Sequence, residues 1–152
     1  MRYLINCLLT SLVLFFSAAS LAATSPLGYW KTVDDVSGRV QSIIQIYEAP
    51  NHTIAGRILK TFPKPGVAPL VNCDLCEGEL HNQPIIGMTI LKSLKQESNT
   101  VWSGGTIVDP KSGKVYHCLI TLTDSGDKLT IRGYIVFHWL GRSQTWFRIS
   151  AP

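Results

Sequence analysis

Cys73 and Cys76 form the most chemically suggestive pair in this 152-residue sequence. A Cys-x-x-Cys pair supports three chemistries: a structural disulfide, thiol–disulfide exchange, or half of a zinc site. Redox catalysts place the pair at a helix N-terminus, whose dipole lowers the thiol pKa. Here the pair lies in a loop between strands, among Asp74, Glu77 and Glu79, whose charges disfavour a thiolate. For zinc, Cys73, Cys76 and His81 would supply three ligands, but no second paired motif accompanies them. The neighbours favour a disulfide that clasps a loop, in a ring too small to add much chain-entropy stabilisation. Cys118, in a strand, reads as a buried thiol acting as a small hydrophobe, with pairing to one loop cysteine as the alternative. Connectivity is not readable from spacing, and no metal or cofactor is expected.

Other catalytic spacings are missing. There is no Gly-x-Ser-x-Gly elbow, no His-Glu-x-x-His and no phosphate-cradling Gly-x-x-x-x-Gly-Lys-Ser/Thr. His52, His81, His117 and His138 are scattered over turns, a loop and strands, so no acid–base pair stands out and no enzyme is expected. The residues most suggestive of a ligand site are polar or aromatic groups within or bordering strands: Arg132, Tyr134, Tyr116, Asp109, Arg142 and Trp146. An arginine inside a strand costs free energy unless it is paired or solvated. Arg132 and Tyr134 share one strand face, with Leu129, Ile131, Ile135 and Phe137 on the other. Either the Leu/Ile face is core and Arg132 meets solvent, or Arg132 lines a pocket and meets an acidic ligand head group.

The elements that must position these groups are strands. Helical periodicity is nearly absent, while period-2 runs rich in Val, Ile, Thr and aromatics recur between clusters of Gly, Pro, Asn, Asp and Ser. Eight runs are read, at 28–33, 39–48, 53–62, 86–95, 100–108, 114–123, 128–137 and 143–149. Short turns between most of them favour an antiparallel up-and-down meander, and closure into a barrel removes its two edges. Several strands are apolar on both faces, which points to a lined cavity or a covered outer wall. The proline-rich stretch 63–69 opens a loop reaching about residue 84, long for a compact domain.

The first residues read as an export signal. Arg2 precedes an apolar run from 4 to 16, and Ser20 and Ala22 suit the −3 and −1 positions of signal peptidase. Cleavage after Ala22 divides the chain into a signal peptide (1–22) and one domain (23–152), and discards Cys7. The run is shorter than the roughly 20 residues that span a bilayer, so no stable membrane insertion is expected after cleavage. A periplasmic or secreted location follows. The net charge of +4 is dispersed, with no Lys/Arg block of the kind that binds nucleic acid.

Several motifs then coincide. Gly28-Tyr29-Trp30 is followed by Asp34, Asp35 and Gly38, by Gly56-Arg57-Ile58, and by Trp102-Ser103-Gly104-Gly105. Asp109-Pro110, Gly113-Lys114, Tyr116 and Arg132-Gly133-Tyr134 come next, and the chain closes on 140–148, LGRSQTWFR. Together these resemble a family of exported bacterial proteins known only as a domain of unknown function, across essentially the whole mature chain. The resemblance implies an all-β, eight-stranded lipocalin-like barrel and a ligand-carrying role, but brings no reaction or known site residues. The Gly-x-Trp also looks like the lipocalin signature, in which the Trp plugs one barrel end beneath an Arg from near the last strand. Trp30 and Arg148 fit those structural parts, and a guanidinium over an indole contributes roughly 0.5–2 kcal/mol.

The leading expectation is therefore a carrier or sensor for a small apolar or acidic ligand, held in the barrel with a few polar contacts. If the barrel is filled by its own side chains, the alternative is an envelope interaction or structural module. Its contact surface would be the Cys73–Cys76 loop or the apolar segment 137–140, with an envelope protein as partner.

Overall fold

The computed structural model describes residues 25–123 and 125–152, so the signal expectation lies outside the described residues. Alternation of Val, Ile, Thr and aromatic residues produces eight strands: β1 (Gly28–Val33), β2 (Val40–Glu48), β3 (Ile54–Thr61), β4 (Thr89–Gln96), β5 (Val101–Asp109), β6 (Lys114–Leu122), β7 (Lys128–Tyr134) and β8 (Gly141–Ile149). Each pairs antiparallel with its sequence neighbours, and β8 returns to β1, closing the barrel β1-β2-β3-β4-β5-β6-β7-β8. No edge is left unpaired, which removes the aggregation hazard of an open sheet. A single 3-10 turn, Gly78–Leu80, interrupts the long β3–β4 loop. Among the described residues no helix is long and apolar enough to cross a membrane.

The registers define the inner wall. Trp30 lies opposite Ile44 and Arg148, Ile44 opposite Ile58, Leu91 opposite Ile107, Ile120 opposite Ile131, and Leu129 opposite Leu122 and Trp146. These residues form one core in which Trp30, Leu91, Leu94, Cys118, Ile120 and Leu129 have no accessible surface. The barrel is packed from the Trp30 end through its middle, whereas Ile107, Tyr116, Gly133 and Gln144, on the inner face toward the other end, keep partial exposure. Polar groups near the β1–β2–β8 seam are satisfied internally. The Thr32 and Ser42 hydroxyls share a 2.8 Å hydrogen bond, and Gln144 Nε2 donates to the Val33 carbonyl at 3.0 Å. The Trp146 indole N–H in turn donates to Gln144 Oε1 at 2.8 Å.

Two strands, β4 and β7, depart from the sequence expectation by three residues at one boundary. The run at 86–95 begins pairing as β4 only at Thr89, because Ile85 and Gly87 bond back to Val71 and Ile58 as part of the loop. The run at 128–137 ends at Tyr134, and its apolar continuation becomes a connecting turn to β8, which starts earlier than 143, at Gly141. Apolarity alone extended both strands in the sequence reading. The missing information was where the ladder runs out of partners.

Candidate functional site

In a meander the connections alternate between the two barrel ends. The β1–β2, β3–β4, β5–β6 and β7–β8 connections share one end, and the chain start and the remaining turns share the other. At the second end Trp30 donates its indole N–H to the Pro26 carbonyl at 2.8 Å. The Arg148 guanidinium stands 4.3 Å from the indole centroid and donates to the carbonyls of Leu27 at 2.8 Å and Ser25 at 2.7 Å. Desolvation there disfavours the charged guanidinium, and these carbonyls with the indole face compensate it. Every part of the pair is spent on closing the barrel.

The Cys73–Cys76 disulfide is formed, and both sulfurs belong to the core. The loop that carries it serves as a buttress. Val108 lies outside the barrel by alternation from Ile107, yet it is buried, in one cluster with Cys73, Cys76, Ile85 and Met88. Cys73 Sγ is 3.4 Å from the Pro110 carbonyl oxygen, and a methyl group on Gly113 would overlap the backbone of Leu75. The loop is thus seated on the β5–β6 turn, and it accounts for a strand apolar on both faces. Cys118 is free and buried, and desolvation pushes its thiol up to about 12. Among the described residues no group of three or more His, Cys, Asp or Glu is placed to hold a metal ion.

Of the six sequence candidates, Trp146, Tyr116 and Arg142 share the inner face, and Asp109, Tyr134 and Arg132 do not join them. Trp146 is buried in the core and Tyr116 is on the inner wall, where a side chain at Gly133 would meet its Cβ at 3.5 Å. Arg142, opposite Gly133, sits at the exposed start of β8. Asp109 shapes the β5–β6 turn: its carboxylate accepts from the Lys111 N–H at 3.1 Å and the Ser112 hydroxyl at 2.7 Å. Tyr134 lies on the outer wall, its ring 5.5 Å from that of His117. Arg132 is also on the outer wall, so the alternative in which it lines an interior pocket is corrected: Leu129 and Ile131 occupy the inner face instead. Its guanidinium donates to the His138 carbonyl, to the Trp139 carbonyl at 2.9 Å and to Ser143 Oγ at 2.8 Å.

What Arg132 holds is the most unusual surface of the molecule. Ile135, Val136, Phe137, Trp139 and Leu140 are each between 53% and 68% exposed. Phe137 and Trp139 stack at 5.2 Å, and the Leu140 N–H returns to the Phe137 carbonyl at 2.9 Å. Val36, in the β1–β2 turn, and Leu75, against Gly113 of the β5–β6 turn, are exposed at the same barrel end, whereas Ile86 is exposed on the outer wall beside Ile58. Such a cluster of water-facing apolar side chains is a candidate contact surface. The sequence expectation covers its segment 137–140, while it reads Ile135 and Val136 as strand.

Two clefts lie away from this end. One of about 310 Å³ opens between the chain start and the β2–β3 and β4–β5 turns, over Ile54, Leu94 and Trp102, with Glu48 and His52 at its lip. The other, of about 470 Å³, is an open groove on the outer wall between the β2–β3 turn, β4 and Leu80.

A closed eight-stranded antiparallel barrel with a Trp–Arg plug is lipocalin-like. Residues 28–148 match the family described as uncharacterized proteins conserved in bacteria (DUF2147), and the chain belongs to that family. Its fold is similar to that of HP1028 from Helicobacter pylori, described as belonging to the lipocalin family, with a TM-score of 0.68 and 18% identity over 83% of this chain and 84% of that one. No curated protein matches the chain.

Proposed function

We propose that this is an exported, non-catalytic docking protein of the cell envelope, in which the packed barrel is a rigid post presenting its apolar end to an envelope component. The single observation that carries this reading is the exposed Ile135–Leu140 cluster at one end of a barrel whose core is filled from the Trp30 end through its middle. A carrier has to keep room for its cargo, whereas a docking module has to keep apolar area in water until its partner covers it. The leading apolar run and a disulfide, stable in an oxidising compartment, support the extracytoplasmic location. Crosslinking in the periplasm from a photoreactive residue at position 139, compared with one at Lys95 on the far wall, tests the reading. Products confined to position 139 are expected, and equal or absent labelling would overturn it.

The cleft over Ile54, Leu94 and Trp102 favours a second reading, a carrier that holds a small, partly apolar ligand at the plugged end. Native mass spectrometry separates the two. A co-purifying small molecule lost in Leu94→Lys supports the carrier, and an empty protein supports docking.

A further inference from the structure

We infer that the β7–β8 tip docks on an anionic lipid surface, a step that rests on the docking reading above and names its partner. Two observations favour lipid over a protein groove. First, the tip is apolar on all sides: consecutive residues Ile135, Val136 and Phe137 and then Trp139 and Leu140 are all exposed, so a flat or one-sided partner would leave part of them wet. A fluid interface surrounds such a tip, and Trp favours the boundary between headgroups and acyl chains.

Arg132 takes up the carbonyls of His138 and Trp139, and the Leu140 N–H satisfies that of Phe137. Second, cations flank the tip: Arg132 on β7, Arg142 on β8 and Lys114 at the start of β6, while Asp109 in the neighbouring β5–β6 turn is engaged by the Lys111 N–H and Ser112. Among the described residues Arg132, Arg142 and Lys114 form no ion pair, while Asp34 on the opposite flank is engaged by Lys64 at 3.7 Å. Cations at the base of an apolar tip meet lipid phosphates as the tip enters the interface. The barrel wall does not follow it in: Arg57, Lys92 and Lys95 stand exposed on the outside, so the contact is peripheral.

The test is flotation of the purified protein with vesicles of phosphatidylglycerol or of phosphatidylcholine, read together with tryptophan emission. Trp30, Trp102 and Trp146 are buried, so a blue shift on binding reports Trp139. We expect binding to phosphatidylglycerol that weakens with salt. Phe137→Ser with Trp139→Ser should lower partitioning at least about tenfold, and Arg142→Gln about fivefold, with unchanged thermal unfolding. No binding by the wild-type protein, or binding indifferent to the tip variants, overturns the proposal. If the protein instead forms a concentration-dependent dimer that Trp139→Ser dissociates, the occupant is a second copy: the lipid proposal falls and the docking reading stands. If the tip variants alter neither vesicle binding, self-association nor crosslinking at position 139, both fall.

Discussion

Replacing Gly113 by Ala measures how firmly the disulfide loop is seated on the barrel. Gly113 has φ of +70°, a left-handed conformation that costs an L-residue roughly 1–2 kcal/mol, offset in part by the lower chain entropy of the unfolded alanine variant. Gly104, at φ +72°, pays the same backbone cost, but a methyl group there meets nothing within 4 Å. At Gly113 the methyl would overlap the Leu75 carbonyl and lie 2.8 Å from the Cys76 nitrogen. Those are backbone atoms of a loop pinned by its disulfide, so they cannot rotate away as a side-chain end could. Overpacking of this kind typically costs 1–3 kcal/mol. Gly104→Ala should therefore lose about 1 kcal/mol and Gly113→Ala about 2–4 kcal/mol, a large share of the 5–15 kcal/mol of a typical domain. Urea unfolding of both variants gives the difference. Hydrogen exchange should localise it, with the Cys73, Asn82 and Ile85 amides losing protection first in Gly113→Ala. Freeing the loop with Cys73→Ser and Cys76→Ser should make the Gly113 penalty smaller, a non-additivity of at least about 0.5 kcal/mol. Equal destabilisation by Gly104→Ala and Gly113→Ala would refute the seating of the loop on the β5–β6 turn.

Three other perturbations have definite expected outcomes. Trp30→Ala should cost about 3–5 kcal/mol in urea unfolding, and Arg148→Lys should recover only part of the Arg148→Ala loss, since an ammonium lacks the fork that reaches both Leu27 and Ser25. In a chain starting at Ala23, Cys118 should resist iodoacetamide at pH 8 when native and react once when unfolded, as mass spectrometry will count. The Asp34 carboxylate accepts from the Ser37 N–H at 2.9 Å and the Ser37 hydroxyl at 2.8 Å, with Lys64 nearby, and is held well below the usual carboxylate range. Its folded pKa is depressed, so its contribution to stability is present above about pH 4 and lost as pH falls further. Carbon-detected NMR titration should find it still ionised at pH 3, and Asp34→Asn should flatten the acid limb of the stability curve.

The barrel was legible in the sequence because strand alternation and turn residues are local signals. The Trp30–Arg148 plug and the Cys73–Cys76 clasp were legible for similar reasons, one from motif placement and the other from its acidic neighbours. Whether the interior was hollow was not, because filling depends on the summed volumes of side chains from eight strands. Ile135–Phe137 read as the end of a strand because apolar residues look alike whether they face a core or a partner. Only Arg132, reaching back to two carbonyls of the following turn, distinguishes the cases, and that contact has no signature in spacing. Two of the ligand candidates are engaged for a related reason: Asp109 by its own turn, and Trp146 by Gln144 inside the core.

Barrel closure also sets a schedule for folding. The ring is complete only when β8 reaches β1, where Arg148 bonds to Ser25 across 123 positions of chain. Contacts of such separation are slow to form, because a long loop must be ordered before they compensate for it. A chain still emerging from a ribosome exposes β1 and β7 as unpaired borders until β8 follows. Until then the ring stays open, and the protein becomes compact once its final strand is released.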